Sequence, residues 1–268
     1  MTDRYAVIGN PVSHSKSPLI HQHFAAQTHQ DISYEAIEAP LDGFKATIER
    51  LIGEGYKGCN VTVPFKFEAF QLCQNLTGRA QAAQAVNTLF FKEGKIWGDN
   101  TDGAGLLVDI QQNIKCNLLF KRVLLMGAGG AAHGVIWQLF NAGVTITIAN
   151  RTVEKAQQMV SEFAPYGTVF ASSYEALEGK SFDVVINATS SSLADELPPL
   201  PQGLFKPDAL AYDMMYGKQT PFLKFAQAQG VTHLSDGLGM LVEQAAEAFS
   251  KWREVRPDTA PVLANLRA

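Results

Sequence analysis

A glycine-rich turn between an aliphatic run and a helical run constrains the fold of this chain more than any other feature. The run Val123 to Met126 is followed directly by Gly127-Ala128-Gly129-Gly130. A short run of near-pure aliphatic residues is typical of a strand buried on both faces of a parallel sheet. Glycines after such a strand permit a tight turn and let the backbone approach an anionic ligand at the next helix N-terminus. The turn therefore predicts a nucleotide site in an α/β domain.

Strand-like runs alternate with amphipathic helical runs along the chain, which indicates sheets covered by helices. At 268 residues and 46% apolar, the chain is near the length at which one core divides into two. We therefore expect an α/β protein with two domains. Residues 1–101 and 239–268 are predicted to form a mixed α/β domain that binds the substrate. Residues 102–238 are predicted to form a Rossmann-type nucleotide-binding domain, after which the last helix returns to the first domain.

Composition and charge exclude several classes of partner. The formal net charge is −4 with both signs interspersed, so the sequence predicts neither nucleic-acid binding nor binding to an anionic membrane. No apolar run approaches the roughly eighteen residues of a membrane helix, and the first residues lack a signal-peptide pattern. Cys59, Cys73 and Cys116 are too far apart to predict a disulfide framework or a metal site. We expect a soluble, cytoplasmic protein with a small-molecule partner, as a monomer or a homodimer.

The residues after the second strand of the nucleotide-binding domain predict which dinucleotide is bound. An NAD site usually has Asp or Glu here, to accept a hydrogen bond from the ribose 2′-hydroxyl. This chain has Asn150, Arg151 and Thr152, with Lys155 one turn later. Two cations and two short polar side chains suit a 2′-phosphate, so the pattern favours NADP. The alternative is that Arg151 and Lys155 are ordinary solvated surface charges.

Polar residues also occur near the predicted strand ends of the first domain, where open α/β sheets bind ligands. They are His14 to Ser17, Asn60, Thr62, Lys66, Asn87, Thr88 and Asp99 to Asp102. Hydroxyls, amides, a lysine and an aspartate suit a compact ligand with several hydroxyls and a carboxylate. Taken singly, such residues can be helix caps, as Ser17 before Pro18 is predicted to be. We expect His14, His21 and His133 to occupy caps or surface positions.

Several ordered motifs resemble the shikimate dehydrogenase family along essentially the whole chain. They are Gly9 to Pro18, Asn60 to Lys66, Ala85 to Thr88, Gly98 to Gly103, Gly127 to Ala131, Asn150 to Thr152, Asn187 to Ser190, Tyr212 to Tyr216 and Asp236 to Met240. The resemblance implies reversible reduction of 3-dehydroshikimate to shikimate with NADPH, on the route to chorismate and the aromatic amino acids. Two departures from the family pattern are Lys155, where arginine is common, and Ser191 to Ala194, where glycines are usual.

The resemblance also implies roles for individual residues. Lys66 and Asp102 match the catalytic pair. The substrate-binding positions are Ser15 and Ser17, for the carboxylate, and Thr62, Asn87, Tyr216 and Gln244. The cofactor-binding positions are Gly127, Ala128, Gly129, Gly130, Ala131, Asn150, Arg151, Thr152 and Lys155, with Met214 and Gly237 near the nicotinamide.

The expected chemistry assigns the proton to the catalytic pair. Hydride transfer to a carbonyl leaves negative charge on oxygen, so we expect Lys66 to donate a proton there and Asp102 to orient Lys66. The sequence alone leaves open which of the two residues carries the proton, because a coupled Lys–Asp pair titrates as a unit. One alternative is an enzyme of the same fold that prefers quinate and NAD, against which the missing carboxylate at Asn150 argues. The other is a non-catalytic regulator that senses NADP, which would have little reason to keep both Lys66 and Asp102.

Overall fold

The computed structural model describes residues 2–189, 191 and 195–268, and the chain divides into two compact units. The first unit comprises Met1–Leu106 and Leu241–Ala268, and the second comprises Leu107–Met240. Each unit has its own six-stranded sheet. The C-terminal residues belong to the first unit, which confirms the predicted return of the last helix. Within the part of the chain described, no helix has the length and apolar character needed to cross a membrane.

The sheet of the first unit is mixed, as predicted. Its strands are β1 (Asp3–Gly9), β2 (Ile32–Glu38), β3 (Gly58–Val61), β4 (Asn75–Leu76), β5 (Thr88–Lys92) and β6 (Lys95–Asp99), in the order β2-β1-β3-β5-β6-β4. Strand β1 runs parallel to β2 and β3, whereas β5 runs antiparallel to both β3 and β6. Asn60 is paired with Thr88, and Thr88 with Asp99. The reversal of β5 therefore brings its amino end to the carboxyl edge of β3 and β6.

Helices of the first unit cover this sheet with apolar faces. They are α1 (Ser17–Thr28), α2 (Phe44–Gly53), α3 (Lys66–Leu72), α4 (Gly78–Ala83), the start of α5 (Asp102–Val108), most of α9 (Leu238–Arg253) and α10 (Ala260–Arg267). Phe44, Ile48 and Leu51 of α2 are fully buried at helical spacing, and each contributes about 1.5–3 kcal/mol to folding. Phe24 of α1 packs against Phe249 of α9 in a separate cluster.

The second unit has a parallel sheet with the predicted Rossmann-type order. Its strands are β7 (Arg122–Met126), β8 (Thr145–Ala149), β9 (Val169–Ser172), β10 (Phe182–Asn187), β11 (Phe205–Asp213) and β12 (His233–Ser235), and its helices include α6 (Gly130–Asn141), α7 (Val153–Phe163) and α8 (Pro221–Ala228). The order is β12-β11-β10-β7-β8-β9, with parallel pairing throughout. The order reverses at β7, where doubly wound sheets bind ligands. Residues 123 to 126 are fully buried, as the aliphatic run predicted.

The structure corrects the predicted positions of three residues. Lys16, not Ser17, occupies the N-cap of α1 and makes no side-chain capping bond. Ser17 is the first residue of the helix, and the hydroxyl of Ser15 accepts its amide hydrogen at 3.3 Å. His21 is fully buried and stacks on Tyr34, because its helix face packs into an aromatic cluster. His133 is buried as well, since α6 turns it toward Glu162. The surface positions predicted for these two histidines are therefore wrong.

Candidate active site

A buried ion pair lies at the carboxyl edge of the first sheet. Lys66 is the first residue of α3 and Asp102 the first residue of α5. The Lys66 Nζ and Asp102 Oδ2 atoms are 2.6 Å apart, and the two side chains are only 13% and 7% exposed. A carboxylate at a helix N-terminus is stabilised by the helix dipole as well as by its cation. The pair therefore combines a proton donor with an anion that holds it in place, shielded from most solvent.

Asn87 joins this pair to two further side chains. Its Nδ2 atom lies 2.8 Å from Asp102 Oδ1, 2.9 Å from Thr101 Oγ1 and 3.2 Å from Gln244 Oε1. Asn87 immediately precedes the reversed strand β5, and Gln244 lies on α9. The structure thus brings together four of the predicted site residues, namely Lys66, Asn87, Asp102 and Gln244, in one hydrogen-bonded cluster.

A second set of buried groups fixes the orientation of Asn87. Asn60 donates to the Asn87 carbonyl oxygen at 3.1 Å, and the backbone amide of Thr101 donates to Asn87 Oδ1 at 2.8 Å. Tyr34 donates its hydroxyl hydrogen to Asn60 Oδ1 at 2.7 Å. Buried polar networks whose members are paired are rigid, because each lost bond leaves an unpaired group. The Asn87 amide is therefore preorganised, with its nitrogen toward Asp102.

Beside this cluster lies a second buried carboxylate, that of Asp99. It is fully buried at the end of β6, and Arg79 donates to both of its oxygens at 2.6 Å. Burial raises the pKa of the Asp99 carboxyl, but the hydrogen bonds and charge of Arg79 outweigh burial and hold that pKa below its ordinary value. Asp99 is therefore an anion within the fold.

Three predicted substrate-binding hydroxyls lie at the same edge of the first sheet. Ser15 and Ser17 follow β1, and Thr62 follows β3, with its amide bonded to the Ile8 carbonyl oxygen at 2.8 Å. A β-carbon at Gly9 would overlap the Thr62 methyl group, so glycine is needed for this close approach. The binding roles of the three hydroxyls stay predictions.

The glycine-rich turn of the second unit fits a dinucleotide pyrophosphate. Gly127 has a φ of +106°, and a β-carbon there would lie 3.1 Å from the Ala188 carbonyl oxygen. Gly129 is the N-cap of α6, and a β-carbon at that position would point into open space. The first turn of α6, which contains Gly130 and Ala131, has no acidic residue. The helix start therefore offers backbone amides and free room to an anion.

The segment after β8 is open to solvent. Arg151, Thr152 and Lys155 are exposed. Asn150 donates its side-chain amide to the Thr152 carbonyl oxygen at 2.8 Å, which shapes the turn. Thr152 is the N-cap of α7, but its hydroxyl makes no capping bond there. The two cations and this hydroxyl fit a 2′-phosphate, and their role in holding it stays a prediction.

Met214, Tyr216 and Gly237 lie together in the second unit, in chain segments that follow β11 and β12. The Met214 amide bonds to the Asn187 carbonyl oxygen, and the Gly237 amide to the Met215 carbonyl oxygen, both at 2.9 Å. A β-carbon at Gly237 would overlap the Met214 backbone. The role of Tyr216 toward the substrate stays a prediction, and Ser190 and residues 192–194 lie outside the described residues.

Comparison with known proteins agrees with this arrangement. Residues 7–89 match the shikimate dehydrogenase substrate binding domain, residues 109–194 match shikimate/quinate 5-dehydrogenase, and residues 237–267 match the shikimate 5′-dehydrogenase C-terminal domain. A shikimate dehydrogenase (NADP(+)) of Methylobacillus flagellatus is 60% identical over 268 residues, which is 99% of each chain. The chain belongs to the shikimate dehydrogenase family.

Solved structures superpose on this chain over nearly its full length. A shikimate 5-dehydrogenase of Thermus thermophilus, in complex with NADP(H) and shikimate, is 31% identical with a TM-score of 0.87 and covers 99% of each chain. An Ael1 enzyme from Pseudomonas putida is 50% identical with a TM-score of 0.90, covering 99% of this chain and 98% of that one. The fold predicted for a shikimate dehydrogenase is thus confirmed.

Sequence reasoning about the shikimate dehydrogenase motifs did not identify Arg79. The residue lies in a short helix twenty positions before its partner Asp99, and no motif contains both. A signal was nevertheless present, since Asp99 ends a strand in which Ile96 and Gly98 are buried. An aspartate at such a point needs a cation, because an unpaired buried charge is very costly.

Proposed function

We propose that this protein is an NADP-dependent shikimate dehydrogenase, which reversibly reduces 3-dehydroshikimate to shikimate in the cytoplasm, on the route to chorismate and the aromatic amino acids. The observation that carries the proposal is the 2.6 Å Lys66–Asp102 pair, bound to Asn87 and lying in the cluster that contains Gln244. Relatives from Methylobacillus flagellatus and Chromobacterium violaceum, 60% and 55% identical, are shikimate dehydrogenases (NADP(+)).

Substrate recognition is assigned to short polar side chains of the first unit. Ser15, just before α1, and Ser17, its first residue, bind the carboxylate through their hydroxyls. Thr62, Asn87 and Gln244 bind the ring hydroxyls, since amides and hydroxyls can donate and accept at the same time. This assignment is supported by the position of all five residues in one unit, where Asn87 and Gln244 are already 3.2 Å apart.

Lys66 moves the proton in the proposed mechanism. Its ammonium donates a proton to the oxygen of the substrate carbonyl during reduction, and its amine accepts that proton during shikimate oxidation. Asp102 keeps the Lys66 Nζ atom in place through the 2.6 Å contact and stabilises the positive charge. Low exposure of both side chains strengthens these electrostatic effects.

The cofactor is held by backbone and cations of the second unit. Gly127 to Ala131 would hold the pyrophosphate at the start of α6, and Arg151, Thr152 and Lys155 would hold the 2′-phosphate. Met214 and Gly237 would hold the nicotinamide end. The chemistry that NADP(H) supplies when bound is the hydride. The fit rests on the open space at Gly129 and on the exposure of Arg151 and Lys155.

The test is the initial rate of nicotinamide absorbance change with shikimate or quinate, each paired with NADP⁺ or NAD⁺. Turnover mainly with shikimate and NADP⁺ is the expected result. Equal or faster turnover with quinate and NAD⁺ would contradict both the substrate and the cofactor assigned. No turnover in any of the four pairings would refute the catalytic role and favour a regulator that senses NADP.

A further inference from the structure

We propose that Arg79 is a positioning residue for the reaction, because its guanidinium, acting through the buried carboxylate of Asp99, fixes the place of Asp102 and hence of Lys66. The proposal rests on the proposed function and extends it to a side chain whose own hydrogen bonds go to Asp99 and Glu247. Arg79 therefore acts on the catalytic pair through other residues.

The contact between Arg79 and Asp99 is directional. Arg79 Nε donates to Asp99 Oδ1 and Nη2 donates to Asp99 Oδ2, each at 2.6 Å, and the Arg79 side chain is only 18% exposed. A bidentate pair of this kind fixes the plane of the carboxylate as well as its position. Thr77 donates a further hydrogen bond to Asp99 Oδ1 at 2.5 Å. Asp99 thus has little rotational freedom.

From Asp99, successive hydrogen bonds lead to the catalytic carboxylate. Asp99 Oδ1 accepts the backbone amide hydrogen of Asn100 at 2.7 Å, and Asn100 Oδ1 accepts that of Asp102 at 3.1 Å. Asn100 is anchored a second time, since its Nδ2 donates to the Ala85 carbonyl oxygen at 2.8 Å. The position of the Asp102 backbone determines the distance between its carboxylate and the Lys66 Nζ atom. The Arg79–Asp99 pair therefore influences that distance.

A second branch from Arg79 reaches the helix that carries Gln244. Arg79 Nη1 donates to Glu247 Oε1 at 3.0 Å, and Glu247 lies three residues after Gln244 on α9, hence on the same face. Gln244 Oε1 is 3.2 Å from Asn87 Nδ2. Arg79 therefore holds both sides of the Asn87 cluster, the loop before α5 and the face of α9.

Arg79→Lys separates positioning from charge. Lysine keeps the positive charge but cannot form the bidentate contact, so Asp99 and the loop after it gain freedom. A displacement of about 1 Å at a catalytic group can cost up to about a hundredfold in rate. We expect kcat for shikimate oxidation to fall by about tenfold, with KM for NADP⁺ within twofold, because the nucleotide segments lie in the other unit.

The matched control is Arg256→Gln. Arg256 binds Glu247 and Glu243 at the outer end of the same ion-pair network, and its connection to Asp99 runs through Glu247 and Arg79. Its kcat should stay within twofold of the unmodified protein, even if its Tm falls as far as that of Arg79→Lys. A drop in kcat of the same size in both variants would show a general loss of stability and would overturn the proposal.

A milder variant keeps the proposal testable if Arg79→Lys does not fold. Thr77→Val keeps the shape of the side chain but removes two hydrogen bonds, the one that Thr77 donates to Asp99 and the N-cap bond that it accepts from the Ala80 amide at the start of α4. The lost cap should lower Tm, and kcat should fall about threefold at unchanged KM for NADP⁺. Near-normal kcat in every folded variant, together with normal turnover by the unmodified protein, would overturn this proposal alone. Absence of turnover in the unmodified protein would overturn the proposed function, and this proposal with it.

Discussion

The two candidate ligand sites differ in the groups that form them: buried side chains in the first unit, and backbone amides with exposed cations in the second. In the first unit, buried side chains bond to one another, and Lys66, Asn87 and Asp102 are oriented before any ligand arrives. In the second unit, the glycine-rich turn contributes backbone amides and empty space, while Arg151 and Lys155 are exposed. The difference indicates that the side chains of the first unit perform the proton transfer, whereas the backbone and cations of the second unit determine the affinity for the cofactor. Mutations in the two units should therefore affect different kinetic constants.

The largest expected effect comes from the catalytic lysine. Lys66→Ala should lower kcat for shikimate oxidation by at least about a hundredfold and leave KM within a few-fold, because it removes a proton transfer and little binding. Steady-state rates at saturating NADP⁺ measure both constants. Lys57→Ala, an exposed lysine of the same unit, is the control and should be unchanged. Near-normal kcat in Lys66→Ala would sink the assignment.

The next effect should appear in cofactor binding alone. A β-carbon at Gly129 meets only open space, so Gly129→Ala should leave Tm within about 1 °C. The methyl group occupies room assigned to the pyrophosphate, so KM for NADP⁺ should rise by more than about tenfold. Gly127→Ala is the contrast, since its left-handed φ should cost about 1–3 kcal/mol of folding free energy. Unchanged KM in Gly129→Ala would argue against a pyrophosphate at this turn.

A smaller effect should distinguish NADP⁺ from NAD⁺. Arg151→Gln should raise KM for NADP⁺ by about tenfold and leave KM for NAD⁺ unchanged, because only the 2′-phosphate accepts the paired hydrogen bonds of the Arg151 guanidinium. Lys155→Gln should raise KM for NADP⁺ by about threefold, since an ammonium acts as a point charge. Lys180→Gln, also exposed in this unit, should change neither constant. Equal losses with both dinucleotides would refute a 2′-phosphate contact.

The smallest effect concerns stability in acid. Burial lowers the pKa of His21 to about 3, so the folded protein keeps this ring neutral where the unfolded chain binds a proton. Protonation of the unfolded state below about pH 6.5 therefore removes stability as the pH falls toward about 3. Between about pH 7 and pH 5.5 the free energy of unfolding should drop by about 1 kcal/mol on account of His21.

Urea unfolding of His21→Phe at these two pH values measures that contribution. Phenylalanine keeps an aromatic ring against Tyr34 and Phe249 but cannot titrate. The variant should lose about 1 kcal/mol less than the unmodified protein on acidification. An identical loss in both proteins would mean that His21 is protonated in the fold and that the acid sensitivity lies elsewhere.

The sequence predicted the structure correctly where the local sequence alone determines the conformation or burial of a residue. The glycine-rich turn predicted the second unit because Gly127 must adopt a positive φ, and the aliphatic run predicted a strand buried on both faces. Reasoning failed where a long-range partner decides the environment. His21 looked like a surface residue, but the fold places Tyr34 and Trp252 around it. Neither contact has any local signal in the chain.

The reversed strand β5 has a practical consequence for anyone who alters this protein. A single hairpin places Asn87 at its start and Asp99 to Asp102 at its end. The pairing of Thr88 with Asp99 therefore fixes the position of these residues relative to one another. Its turn, Glu93-Gly94, lies at the far end, with both residues at positive φ. Residues inserted at that turn should leave the register between β5 and β6 unchanged, whereas deletion of one residue within β5 or β6 would shift the register and displace Asp99 relative to Asn87. The hairpin turn is thus a suitable attachment point for a label, because it lies at the opposite end of the hairpin from the catalytic residues.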